Sequence, residues 1–168
     1  MAIDDDLLAG LRAQIGVGHV EELGEISAAM IARYAAAIGD GDQLYTDQAY
    51  ARSRGYADVV APPNLLAAVI NWGPGAPYER LREDGTEADT HLPGVPAQGV
   101  RVMGGGEEMT FRRPVVAGTV VVRSTELLDV TQRDSSQGPM LVVRYRDDYR
   151  DREDGSALLE SVRTVLLR

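Results

Sequence analysis

Asp40, Asp42 and Tyr45 put two carboxylates and a phenol within six residues, on the stretch that follows a strongly apolar helical pattern. A carboxylate there could hold or deprotonate a water; a phenol, with an ordinary pKa near 10, donates a hydrogen bond well but is a poor base at neutral pH. The same residue types beside Gly39 and Gly41 are also what a loop uses to cap its backbone N–H groups, and both readings stand. Tyr50 follows closely, able to line a tunnel or simply to pack. Further on, Pro63 and Asn64 open a second apolar stretch, and Asn64 could bind a ligand or cap the helix. Other chemistry is poorly supplied. There is no cysteine, and the two histidines, His19 and His91, are far apart, so neither a thiolate site nor a dedicated zinc site is expected. Gly104-Gly105-Gly106 lacks the Lys-Ser/Thr of a phosphate loop and reads as a bulge or bend at a strand.

The 168 residues suit one domain with a sizeable core, and 44% hydrophobic with 26% charged residues is ordinary for a globular chain. A net charge of -9 argues against nucleic acid, which needs a basic footprint. No run approaches a membrane span, and the acidic start Met1-Ala-Ile-Asp-Asp-Asp lacks the cationic opening of a signal peptide, so a cytoplasmic location is expected. No cofactor is implied.

Several elements must position those groups. A short helix is expected within 4–18, with Leu7, Leu8 and Leu11 on one side, and a first strand near 20–26. Ser27 is a good N-cap for a helix over 27–38 that Gly39 stops, with Ile26 and Ile31 placed as a hydrophobic staple. A short helix fits 47–54. Pro62-Pro63 suits the first turn of a buried helix running to about Trp72 and breaking at Gly73-Pro74-Gly75. Residues 73–106, rich in glycine and proline, read as a long irregular excursion. From Glu107 onward the period is that of strands: Met109 and Phe111, then 119–128, 140–149 and 157–167, parted by turns at 135–138 and 153–155. By alternation, Arg112 and Arg113 point to opposite faces, so at most one reaches a pocket. The charged run Arg144 to Asp154 reads as the solvated end of a hairpin. Helices followed by an antiparallel meander make an α+β domain.

Ala-Ile-Gly-Asp40-Gly-Asp42-Gln-Leu-Tyr45-Thr-Asp47, Ala61-Pro62-Pro63 and Phe111-Arg112-Arg113-Pro114-Val-Val-Ala-Gly118-Thr together resemble the MaoC-like hydratases, in particular the N-terminal, fatty-acid-synthase-like dehydratase subfamily. The likeness runs from about 15 to 167. It implies a hot-dog fold, a long antiparallel sheet wrapped around a central buried helix. In catalytic members a helix ends in an Asp-x-Asn-Pro-x-His loop, whose Asp and His hold a water against the double bond of an acyl thioester. Here the Asp position is Asp40 and the His position is Tyr45. A glycine whose N–H polarises the thioester carbonyl falls, by the resemblance, at Pro63, which has no N–H.

The resemblance therefore implies a subunit without catalytic residues of its own, Asp40 and Tyr45 being vestigial. It would bind an acyl thioester of CoA or acyl carrier protein beside Asp40, Asp42, Tyr45, Tyr50, Pro63 and Asn64. A MaoC-like catalytic subunit, or a second copy of the chain, would be its partner in a heteromeric enoyl-CoA hydratase of lipid, sterol or polyketide metabolism. An acyl-thioester-binding homodimer without catalysis, and a homo-oligomeric hydratase using Asp40, are the alternatives.

Overall fold

The computed structural model describes residues 5–68, 76–81, 87, 92–96, 99–136 and 138–168. Within them α1 spans Asp5–Ala13, β1 Gly18–Glu25, α2 Ala28–Ile38, α3 Gln48–Ser53 and α4 Leu65–Ala68, and four long strands follow: β2 Val102–Phe111, β3 Val120–Ser135, β4 Gly138–Asp151 and β5 Ala157–Leu167. The five strands form one sheet in the order β1-β3-β4-β5-β2, and every pairing is antiparallel. This is the hot-dog sheet expected from the sequence.

Local chemistry sets α2 as anticipated. Ser27 Oγ accepts from the Met30 N–H at 3.1 Å, and Gly39, at φ 72°, ends the helix while its N–H and that of Asp40 return to Ala35 and Ala36. Ile26 and Ile31 are both fully buried, as a staple requires. In α4, Leu65 and Leu66 are buried whereas Ala68 is exposed. The rest of the expected buried helix, with Val69, Ile70 and Trp72, its Gly73-Pro74-Gly75 break and His91 lie outside the described residues, as do Met1 to Asp4 and residue 137 of the expected 135–138 turn.

Two readings need correction. The strand set at Glu107 begins at Val102, so the end of the expected irregular excursion is sheet. The three glycines form a bulge inside β2, where the register with β5 shifts between Gly104 and Gly106. The run Arg144 to Asp154 is not a solvated hairpin end. Up to Asp151 it is strand, and Tyr145, Asp147 and Tyr149 alternate inward at 0, 0 and 3% exposure. Of the charges that suggested solvent, Arg144, Arg146, Asp148 and Arg150 take the opposite parity while Asp147 is buried, and only Arg152 to Gly155 turns.

The core has two apolar parts. One gathers Ile26, Ile31, Leu65, Leu66, Val115, Val121 and Leu159; the other joins Leu7 and Leu11 of α1 to Leu127, Leu141, Val143 and Val165. Between them runs a buried polar row. The Thr125 hydroxyl donates to Asp147 Oδ1 at 2.6 Å, and Arg163 grips both oxygens of Asp147. Next to it, Ser161 donates to Glu107, and Arg123 pairs with Glu21.

Candidate functional site

The loop after α2 is built by its own carboxylates. Asp40 Oδ1 accepts from the Asp42 N–H at 3.2 Å, Asp42 Oδ1 caps the single turn at Gln43–Tyr45 by accepting from the Leu44 N–H at 2.9 Å, and Asp47 caps α3 by accepting from the Tyr50 N–H at 2.9 Å. The turn is then fastened to the next segment, because the Val60 N–H donates to the Leu44 carbonyl at 2.8 Å. Residues 59–61 in turn pair with 115–117, through Ala61 N–H to the Val115 carbonyl and Ala117 N–H to the Val59 carbonyl. That chain of bonds sets Tyr45 beside Ala61-Pro62-Pro63 and beside the loop that follows β2.

Between these pieces lies a cavity of about 370 Å³. Its buried lining is apolar: Val60, Ala61, Leu66, Val115, Leu158 and Leu159. Tyr45, Tyr56, Pro63, Phe111, Arg112 and Arg113 are among the rest of the lining, with Phe111 half exposed. An apolar hollow with a few polar groups at its edge suits a ligand with a hydrocarbon part and a polar head.

Of the six residues singled out from the sequence, Tyr45 and Pro63 line this cavity. Asp40 and Asp42 stand behind Tyr45. Burial above all, then the charges of Asp40 and Asp42 and a hydrogen bond from the phenol to the Asp40 carboxylate, push the Tyr45 pKa above its ordinary value. The tyrosine therefore keeps its proton at neutral pH, and can donate a hydrogen bond but not take up a proton. Tyr50 lies away from the cavity lining, its hydroxyl accepting from Arg54, whose guanidinium also stacks on the ring at 4.9 Å. Asn64 is exposed and outside the lining; its carbonyl accepts from the Ala68 N–H.

Both Arg112 and Arg113 reach the cavity, against the expectation of one. β2 ends at Phe111, so the alternation of a strand no longer governs the two residues after it. Arg112 pairs with Glu160 at 3.2 Å, and Arg113 with Asp151 and Asp154 at 2.6 and 2.9 Å. The linings from Val115, Leu158, Leu159 and Phe111 escaped the sequence reading because long-range strand pairing delivers them; their apolar identity was the only signal. Among the described residues no group of three or more His, Cys, Asp or Glu could hold a metal ion, and no helix is long and apolar enough to cross a membrane.

A family model described as "FAS1-like, dehydratase domain region" matches residues 13–159. A UPF0336 protein of Parafrankia sp. (strain EAN1pec) is 38% identical over 96 residues, which is 56% of this chain and 56% of that protein, so the chain matches just over half the length of this curated relative. Among solved structures, the ChsH1-ChsH2 complex from Mycobacterium tuberculosis superposes with a TM-score of 0.71 at 20% identity, covering 96% of this chain and 90% of that one. The C-terminally truncated HadBC (3R-hydroxyacyl-ACP dehydratase) complex from the same organism gives 0.63 at 16% identity, with 89 and 95% covered. At these identities the two structures speak for the fold.

Proposed function

From the premise that this chain belongs to the FAS1-like dehydratase family, we propose that it is the substrate-binding, non-catalytic subunit of a heteromeric (R)-specific enoyl-CoA hydratase, equivalently a 3-hydroxyacyl-thioester dehydratase. The observation that carries this reading is the pairing of Tyr45 and Pro63 at one apolar cavity. Hydration of a conjugated thioester needs a base for the water proton, an acid for the α-carbon and a donor to the carbonyl oxygen. A tyrosine whose pKa is raised by burial and two carboxylates is no base, and a proline offers no N–H.

The chain's part is to receive the acyl group. Val60, Leu66, Val115 and Leu159 present hydrocarbon to it, while Tyr45 can donate a hydrogen bond at the edge. A MaoC-like partner subunit would bring the Asp–His pair. The two superposing assemblies named as complexes support a heteromer. A second reading rests on the contact between Asp40 and Tyr45: Asp40 as base and the Tyr45 phenol as acid would let the chain work alone. Pro63 weighs against it, because the carbonyl would still lack its donor.

Titration calorimetry of the isolated chain with hexanoyl-CoA tests the binding role. Heat of binding is expected, with no change in the thioester. Phe111→Asp, which sets a carboxylate at the half-exposed edge of the apolar lining, is expected to weaken binding by about tenfold or more. No binding, or binding indifferent to that substitution, overturns it.

A further inference from the structure

Strand β5 breaks its register with β4 beside the cavity. Tyr149 stands opposite Leu159 and Arg150 opposite Ala157, so Leu158 is an extra residue with no rung of its own. Such a bulge re-aims a side chain toward a face that alternation would deny it. The burial bears this out. Leu158 and Leu159 are neighbours on one strand, yet they are 1 and 2% exposed and both line the apolar cavity. The loop after β2 grips the bulge, because the Leu158 carbonyl accepts from the Arg112 N–H at 2.9 Å and from the Arg113 N–H at 3.3 Å. Further along that loop, the Val115 carbonyl accepts from the Ala61 N–H at 2.7 Å. The bulge, the loop and residues 59–61 are thus one hydrogen-bonded wall around the cavity.

We infer that Leu158 sets the length of the acyl chain the cavity accepts, and that this length is about eight to ten carbons. The lining has two ends. Phe111 and Arg112 are half exposed, so a bulky thioester head can remain in solvent beside them. Leu66, Leu158 and Leu159 are at most 2% exposed, and the hydrocarbon runs toward them. A methylene takes about 30 Å³, close to a water's share of the liquid, so a cavity of about 370 Å³ holds about twelve such groups. The thioester and its neighbouring carbons use part of that space, which leaves the stated length. A longer chain meets close-packed side chains that yield only with strain. Of the three leucines at the closed end, Leu66 belongs to α4 and Leu159 keeps a regular place on its strand. Leu158 is the one that the bulge adds, and its side chain subtracts from the room left to a ligand.

This rests on the acyl-binding reading above, and one series of titrations separates the two. The unaltered chain is titrated calorimetrically with saturated acyl-CoAs of every length from butanoyl to tetradecanoyl. Each added methylene is expected to tighten binding by about fourfold up to eight to ten carbons, and by about twofold or less beyond. Leu158→Ala enlarges the closed end and is expected to move that break by about two carbons toward longer chains. Leu158→Val should move it by about one, and keeps the test open if the larger truncation fails to fold. Leu141→Ala, at an equally buried leucine of the other core cluster, controls for lost stability and should leave the break in place. No binding at any length overturns the acyl-binding reading and this inference with it. Binding that strengthens evenly through tetradecanoyl overturns this inference alone. So does a break that neither Leu158 variant moves, or that Leu141→Ala moves as far.

Discussion

At Tyr45 the phenol borders an apolar cavity with Asp40 and Asp42 behind it, and burial and both carboxylates hold its proton in place. Pro63 borders the same cavity and has no hydrogen to offer. On the proposed reading two groups of the reaction are missing, and their separate restoration tests it. Tyr45→His alone is expected to leave crotonyl-CoA hydration at background, because the carbonyl still lacks a donor. Tyr45→His with Pro63→Gly supplies both and is expected to raise the rate by about 100-fold or more, the usual scale for either group. A single variant as fast as the double would show that Pro63 is not the missing donor. These two positions were legible in the sequence because the resemblance aligned them. Asp42 was ambiguous there, and its bond to the Leu44 N–H explains it as a cap. Tyr50 and Asn64 were placed near the ligand by proximity in sequence, yet the turns after Tyr45 and before Leu65 carry them away from the cavity lining.

Among the elements, the sheet carries a feature that its sequence concealed. The run from Arg144 to Asp151 looks solvated in composition, yet its odd positions point inward and Asp147 is fully buried. Its partners, Thr125 and Arg163, lie on the two flanking strands, 22 and 16 residues away in sequence. Only register brings them together, so periodicity within one strand could not show it. Helix α2 was legible in full because its cap, staple and terminating glycine are all local. Removing Asp147 leaves the buried Thr125 hydroxyl and the partly exposed Arg163 guanidinium without their acceptor: Asp147→Ala is expected to cost roughly 2–3 kcal/mol in urea unfolding. Replacing the row together, Thr125→Val, Asp147→Leu and Arg163→Met, should recover most of that loss. A cost below about 1 kcal/mol for the single variant would mean that the Thr125 and Arg163 bonds to Asp147 add nothing to the sheet's stability.

Across the whole molecule, two buried phenols tie stability to pH. Burial is the chief cause that pushes Tyr145 and Tyr149 above the ordinary value of 10.0, with Asp147 adding to it. The folded chain therefore holds these protons more tightly than the unfolded one. Their contribution is complete below about pH 10 and is lost as pH rises toward the folded-state values, by up to about 1.4 kcal/mol per unit for each phenol. Urea midpoints measured from pH 9 to 11 should fall steeply, and Tyr149→Phe should flatten the fall; a flat profile in the unaltered chain would remove the linkage. On the proposed reading the cavity lacks a complete set of reacting groups and the chain works beside another. The most direct measurement follows loss of the conjugated thioester of crotonyl-CoA with the purified chain, with a MaoC-like protein bearing the Asp–His pair, and with both together. Turnover that appears or rises sharply only in the mixture is the predicted result. Turnover at ordinary enzyme rates by the chain alone, abolished by Asp40→Asn, would contradict the non-catalytic role.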